Sequence, residues 1–197
     1  MRITRARTHL RQSQITNSTT KMAGERLTYE DSCVELQKQH LLDADNIPPL
    51  LHRPPRYDDE ELGVEFFRTL LVDARLQRLT LPWTFFGRSE IRATSFKGSD
   101  LSGSVANWND FIEVDFSDAD LSGADLRANL FQQVRFAGAS LVGADLRYCG
   151  FKQCDFANAD LTDAKLTRKA GTALGLSPEQ QCLIDWQNED GEEPEGG

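Results

Sequence analysis

Residues 111–166 read FIEVD FSDAD LSGAD LRANL FQQVR FAGAS LVGAD LRYCG FKQCD FANAD LTDAK L. Cut in fives, every block opens on Phe or Leu. The register runs back through Ala106, Leu101, Phe96, Ile91 and Phe86, and on to Leu81, Leu76 and Leu71. Five residues advance an α-helix by about 500°, so successive apolar residues drift and form no stripe. On a flat strand an odd spacing alternates faces. The chain must therefore turn between blocks, so that each large apolar side chain meets a common axis.

A second position agrees. Two residues before each large one stands a small one: Ser89, Thr94, Ser99, Ser104, Ala119, Ala124, Ala139, Ala144, Ala159 and Ala164. A narrow axis lined by both would take one large and one small residue per block. The large residues also cycle Phe-Phe-Leu-Leu from Phe111, from Phe131 and from Phe151. Four blocks thus make one turn of twenty residues, and like stacks on like. Asn109 and Asn129 fall inward one turn apart, where their amides can bond each other. Cys149 and Cys154 fall inward as small buried groups.

The blocks Ala119-Asp120-Leu121, Ala124-Asp125-Leu126, Ala144-Asp145-Leu146 and Ala159-Asp160-Leu161 resemble the pentapeptide-repeat family, whose pattern is A(D/N)LXX. The resemblance covers about residues 71–168. It implies an all-β solenoid, a right-handed quadrilateral β-helix of about five coils, with short helical caps and disordered termini. Ala106 at a large position and Leu79 at a small one depart from the pattern.

The flanks divide by composition. Residues 1–24 carry five basic groups and no acid, and read as a disordered tail; Met22 is a candidate for the true start. Residues 25–70 read as a lead-in and N-terminal cap, with a short helix between Tyr29 and Leu42, then Pro48, Pro49, Pro54 and Pro55. The run Tyr57 to Glu61 reads as acids at a helix start. Residues 169–186 form a helical cap: Ser177-Pro178-Glu179 has the order of an N-cap, a first-turn proline and an acid. Leu183, Ile184 and Trp186 give it an apolar side, which either covers the last coil or makes a homodimer. Residues 187–197 form an acidic disordered tail.

The chain's 197 residues sum to a charge of −9. The terminus 1–24 contributes +5, residues 25–83 −5, residues 84–169 −2 and residues 170–197 −7. The overall acidity argues against direct nucleic-acid binding. No apolar run reaches the ~20 residues of a membrane span. The four cysteines lack metal-ligand spacing and read as free thiols of a cytoplasmic protein. His9, His40 and His52 lie outside the repeats, and no nucleophile, metal or phosphate-loop motif is present. Asp recurs beside the large residues, where it can bond local amides. No catalytic residue, metal or cofactor is expected.

Function then falls to the outer surface. Two faces carry small and polar residues. Of the others, one presents Trp108, Arg127, Arg147 and Tyr148, and its neighbour Ile112, Gln132 and Lys152. Trp, Tyr and Arg are enriched at the energetic centres of protein interfaces. The expected function is a non-enzymatic protein-binding scaffold or adaptor. The resemblance adds three implications: a bacterial stand-alone module, neutralisation of a partner protein in the manner of an immunity protein, and, alternatively, mimicry of DNA toward DNA gyrase. An enzyme with no recognisable site is the remaining alternative.

Overall fold

The computed structural model describes residues 25–54, 56 and 63–188. The basic tail 1–24, the acidic run after Arg56 and residues 189–197 lie outside the described residues.

Each block has three extended residues before the chain turns, so every strand is three residues long. They are β1 (Glu65–Phe67), β2 (Leu70–Val72), β3 (Phe85–Gly87), β4 (Glu90–Arg92), β5 (Val105–Asn107), β6 (Asp110–Ile112), β7 (Leu130–Gln132), β8 (Gly150–Lys152), β9 (Lys165–Thr167) and β10 (Asp185–Gln187). All pair in parallel, at a shift of twenty residues through the repeats: Phe111 lies against Phe131, and Phe131 against Phe151. Four walls result. The first is β1-β3-β5, continued by single bridges Val105↔Asp125↔Asp145↔Lys165 to β9 and β10. The second is β2-β4-β6-β7-β8. The third and fourth are laddered by bridges alone, among them Ser95↔Asp115↔Arg135 and Asp100↔Asp120↔Ser140.

The solenoid has about six turns, one more than the sequence pattern gives. Both extensions fill the inward places of the motif. Val64 and Phe66 are buried as the small and large residues of a first turn, and Phe66 stacks on Phe86 at 5.1 Å. That turn begins before residue 71. At the far end Trp186 pairs below Leu166, so part of the expected helical cap is a further strand.

The interior consists of side-chain columns. Phe111, Phe131 and Phe151 stack at 5.2 and 5.4 Å; Phe96, Phe116, Phe136 and Phe156 stack at 5.2, 5.5 and 4.7 Å. Edge contacts such as Phe131–Phe136, at 5.3 Å, join the two columns. Offset stacking and edge-to-face contacts are the favoured geometries of aromatic rings.

The corners explain the remaining positions. Every fifth residue from Arg68 to Asp163 has a positive φ, whether glycine or not. Beside many corners an aspartate ties the turn. Asp120 Oδ1 accepts the Ser122 amide at 3.0 Å, and Asp100, Asp115, Asp155 and Asp160 repeat the bond.

Both ends are capped. α1 (Tyr29–Lys38) is started by Thr28, whose Oγ1 accepts the Asp31 amide, and it buries Tyr29, Ser32, Cys33 and Leu36, one helical stripe. The Tyr29 hydroxyl donates to the carbonyls of Pro48 and Pro49, so the proline segment packs on the helix. At the other end come α2 (Arg168–Thr172) and α3 (Pro178–Leu183). Ser177 and Gln180 form a reciprocal capping box, and Gln180 Nε2 also donates to the carbonyls of Phe156 and Ala159.

Candidate binding surface

The corner between the first and second walls carries one residue per turn: Arg68, Arg88, Trp108, Ala128, Tyr148. Trp108 and Tyr148 adopt φ of 61° and 62° and are 72% and 57% exposed. A left-handed conformation costs a bulky L-residue about 1–2 kcal/mol, a cost shared by every non-glycine corner of the coil; what sets these two apart is the large ring surface left exposed. Two turn spacings, about 10 Å, separate their backbones, with the short Ala128 between.

The sequence reading missed Leu130. It is the first residue of β7, two residues after Ala128, and is 42% exposed. In register with it stand Asp110 and Gly150. Leu130 therefore lies on the second wall between the levels of Trp108 and Tyr148. The short Ala128 thus leaves a notch between the two aromatics along the corner, with Leu130 exposed on the wall beside it. The signal was present, since Leu130 is a large apolar residue at an outward position. Ile112, Gln132 and Lys152 form the adjoining column of the same wall; Ile112 is half-buried.

Arg127 and Arg147 lie flat on the first wall. Each guanidinium forms a two-pronged bond to the aspartate two residues before it: Arg127 to Asp125 at 2.8 and 2.7 Å, Arg147 to Asp145 at 2.9 and 2.7 Å. Burial pushes the Asp125 carboxyl up, but the bonds from Arg127 and Asn107 outweigh it and hold it below its ordinary value. The arginines are thus pinned and largely neutralised, and present planar surfaces beside the notch.

The inward polar positions are structural. Asn109 Nδ2 donates to Asn129 Oδ1 at 3.3 Å, as the repeat spacing predicts, and the Asn109 backbone amide donates to the same oxygen at 2.7 Å. Burial pushes the Cys149 thiol up to about 12, so at neutral pH it stays protonated and bonds the Leu126 carbonyl at 3.0 Å.

The three apolar residues of the C-terminal cap differ in exposure. Ile184 is buried in its own chain. The Trp186 ring lies where a side chain on Gly171 would stand, under the Arg168 guanidinium, and its Nε1 donates to Gln181 O. Beside β9, Ile184 is buried and Trp186 half-buried, while Leu183 is 44% exposed. Among the described residues no group of three or more His, Cys, Asp or Glu is placed to hold a metal. No helix there is long and apolar enough to cross a membrane.

A four-walled parallel β-solenoid with an interior of stacked side chains presents its walls and corners to the outside. The family model for pentapeptide repeats matches in 8 copies, over residues 89–127 and 130–168. Those residues are pentapeptide repeats. Among solved structures it is similar to HetL, a pentapeptide repeat protein involved in heterocyst differentiation regulation from the cyanobacterium Nostoc sp. strain PCC 7120. The two share 21% identity over 51% of this chain and 48% of that one, with a TM-score of 0.49. This chain thus spans about half the length of HetL. It is also similar to a trypsin-treated form of QnrB1, a plasmid-mediated fluoroquinolone resistance protein: 19% identity, 68% and 71% coverage, TM-score 0.47. No curated protein matches.

Proposed function

We propose that this protein is a non-enzymatic scaffold that binds a partner protein through the corner between its first and second walls. The observation behind this reading is the notch between Trp108 and Tyr148, with Leu130 exposed beside it. Two large aromatics stand exposed on one corner of the coil, beside two arginines already fixed by their aspartates. Groups ordered before binding lose little entropy on docking. An immunity-like role, neutralising the partner, is the finer form of the proposal, and a cytoplasmic setting goes with it. The test compares capture of partners from the native host by the wild type and by a Trp108→Ala, Tyr148→Ala variant. A partner retained by the wild type and lost by the variant is expected. A partner held equally by both would overturn the assignment. Inhibition of gyrase supercoiling by the purified protein would instead identify a DNA mimic.

A further inference from the structure

A second concave site lies at the corner between the third and fourth walls, diagonally across the coil from Trp108. The strap before α1 builds one side of it. Leu27 N donates to Arg78 O at 2.8 Å, and Thr80 Oγ1 donates to Leu27 O, which fixes the strap on the first turn. Arg26 then runs down the corner. Its Nε donates to Gly98 O at 2.8 Å, and a terminal nitrogen lies 4.0 Å from Asp120. Gly98 makes the room. It sits at a left-handed corner, φ +68°, and a Cβ there would come 3.3 Å from Arg78 Cγ, so the arginine stem lies against the bare glycine. Arg26, Gln77, Arg78, Lys97, Gly98 and Asp118 line a cavity of about 470 Å³.

The charges in this cavity do not cancel. Lys97 faces Asp118 at 3.6 Å and Arg26 faces Asp120, while the Arg78 guanidinium has no acid or hydrogen-bond partner among the described residues. Among the described residues Arg78 is thus the cation of the cavity left uncompensated, and a bound anion would neutralise it. The Arg78 guanidinium offers planar, two-pronged donors and Lys97 a point charge, the pairing suited to phosphoryl oxygens. Both approach the same hollow from adjacent turns.

We propose that this cavity binds the phosphoryl group of a small molecule, with Arg78 and Lys97 as its principal donors. The site is independent of the aromatic notch, so either can fail without the other. The experiment is calorimetric titration of the full-length protein with inorganic phosphate and then O-phosphoserine, at constant ionic strength, with acetate as the singly charged control. Saturable one-to-one binding of both phosphates is expected. Arg78→Gln and Lys97→Gln should each weaken it about tenfold or more. Arg135→Gln, which removes a cation paired with Asp115 elsewhere on the third wall, should leave it unchanged. Arg78 is exposed, so its variant should fold; the circular-dichroism spectrum checks that. No saturable binding, equal binding of acetate, or equal affinity in Arg78→Gln would each overturn the proposal. Binding of phosphate with none of phosphoserine would overturn its small-molecule form, since the hollow must admit an ester.

Discussion

Asn129→Ala should destabilise the protein sharply, although alanine is the residue the repeat pattern favours at that position. Alanine is harmless at Ala119, Ala124, Ala139 and Ala144 because their own amides bond the carbonyl three residues back, as Ala124 N does to Leu121 O at 3.1 Å. The second wall works differently. There the inward amide is bonded by a side chain from the next turn: Thr69 by Ser89, Ser89 by Asn109, Asn109 by Asn129. Removing Asn129 strands the buried Asn109 amide, at about 1–3 kcal/mol, and deletes donations to the carbonyls of Ala106 and Leu126 that are worth about 1 kcal/mol each. The loss should total about 2–4 kcal/mol once partial relaxation is allowed. Asn129→Ser should recover about half of it, since Ser89 in the same column both accepts an amide, at 3.0 Å, and donates to a carbonyl, at 2.7 Å. Urea unfolding at equilibrium, with unchanged m-values, measures both. A loss below about 0.5 kcal/mol for the alanine variant, or a serine variant no better than alanine, would refute the hydrogen-bond column.

Ser104→Ala should be neutral or stabilising by up to about 1 kcal/mol in thermal melts. The hydroxyl is buried without a partner among the described residues, and Ala124, Ala144 and Ala164 hold the same place in later turns. Trp108→Gly should leave stability unchanged or raise it by up to about 1 kcal/mol, because relief of the left-handed strain exceeds glycine's added chain entropy; partner capture should fall in the same variant. Asp115, Asp125 and Asp160 have lowered pKa values. For Asp115 and Asp125, bonds to Ser117 and Arg135 and to Arg127 and Asn107 override burial; for Asp160 the bonds to Thr162 suffice. Their stabilisation is complete above the unfolded carboxyl pKa of about 4 and is lost as pH falls through the lower folded values. Urea midpoints should be flat from pH 7 to about 4 and drop below it. A decline already under way at pH 6 would contradict this.

The repeat carried the interior of the solenoid almost whole. A large residue every fifth position and a small one two before it fix which side chains point inward, and the twenty-residue cycle fixes which stack. Phe66 continues the register one block before Leu71, in the triplet Val64-Glu65-Phe66, where the reading stopped short; Trp186 escaped because Gly171 and Gln181 break the register after Leu166, and its place follows from pairing with Leu166. The aspartates were legible as local amide acceptors, since that bond spans only two residues.

The candidate surface was legible by half. The outward positions of Trp108, Tyr148, Arg127 and Arg147 follow from the five-residue register. Their consequences do not, because neighbours on the surface are twenty residues apart in the chain. Only stacked turns set Leu130 between the levels of the two aromatics, and only the folded coil brings Arg26 to Gly98, 72 residues away. The sequence by itself determined the coil, because a period of five with one large and one small residue has few ways to bury its apolar groups. The tertiary structure decided what the ends become and which outward side chains meet. These depend on contacts between turns, where the repeat constrains the backbone and leaves the exposed residues free to vary.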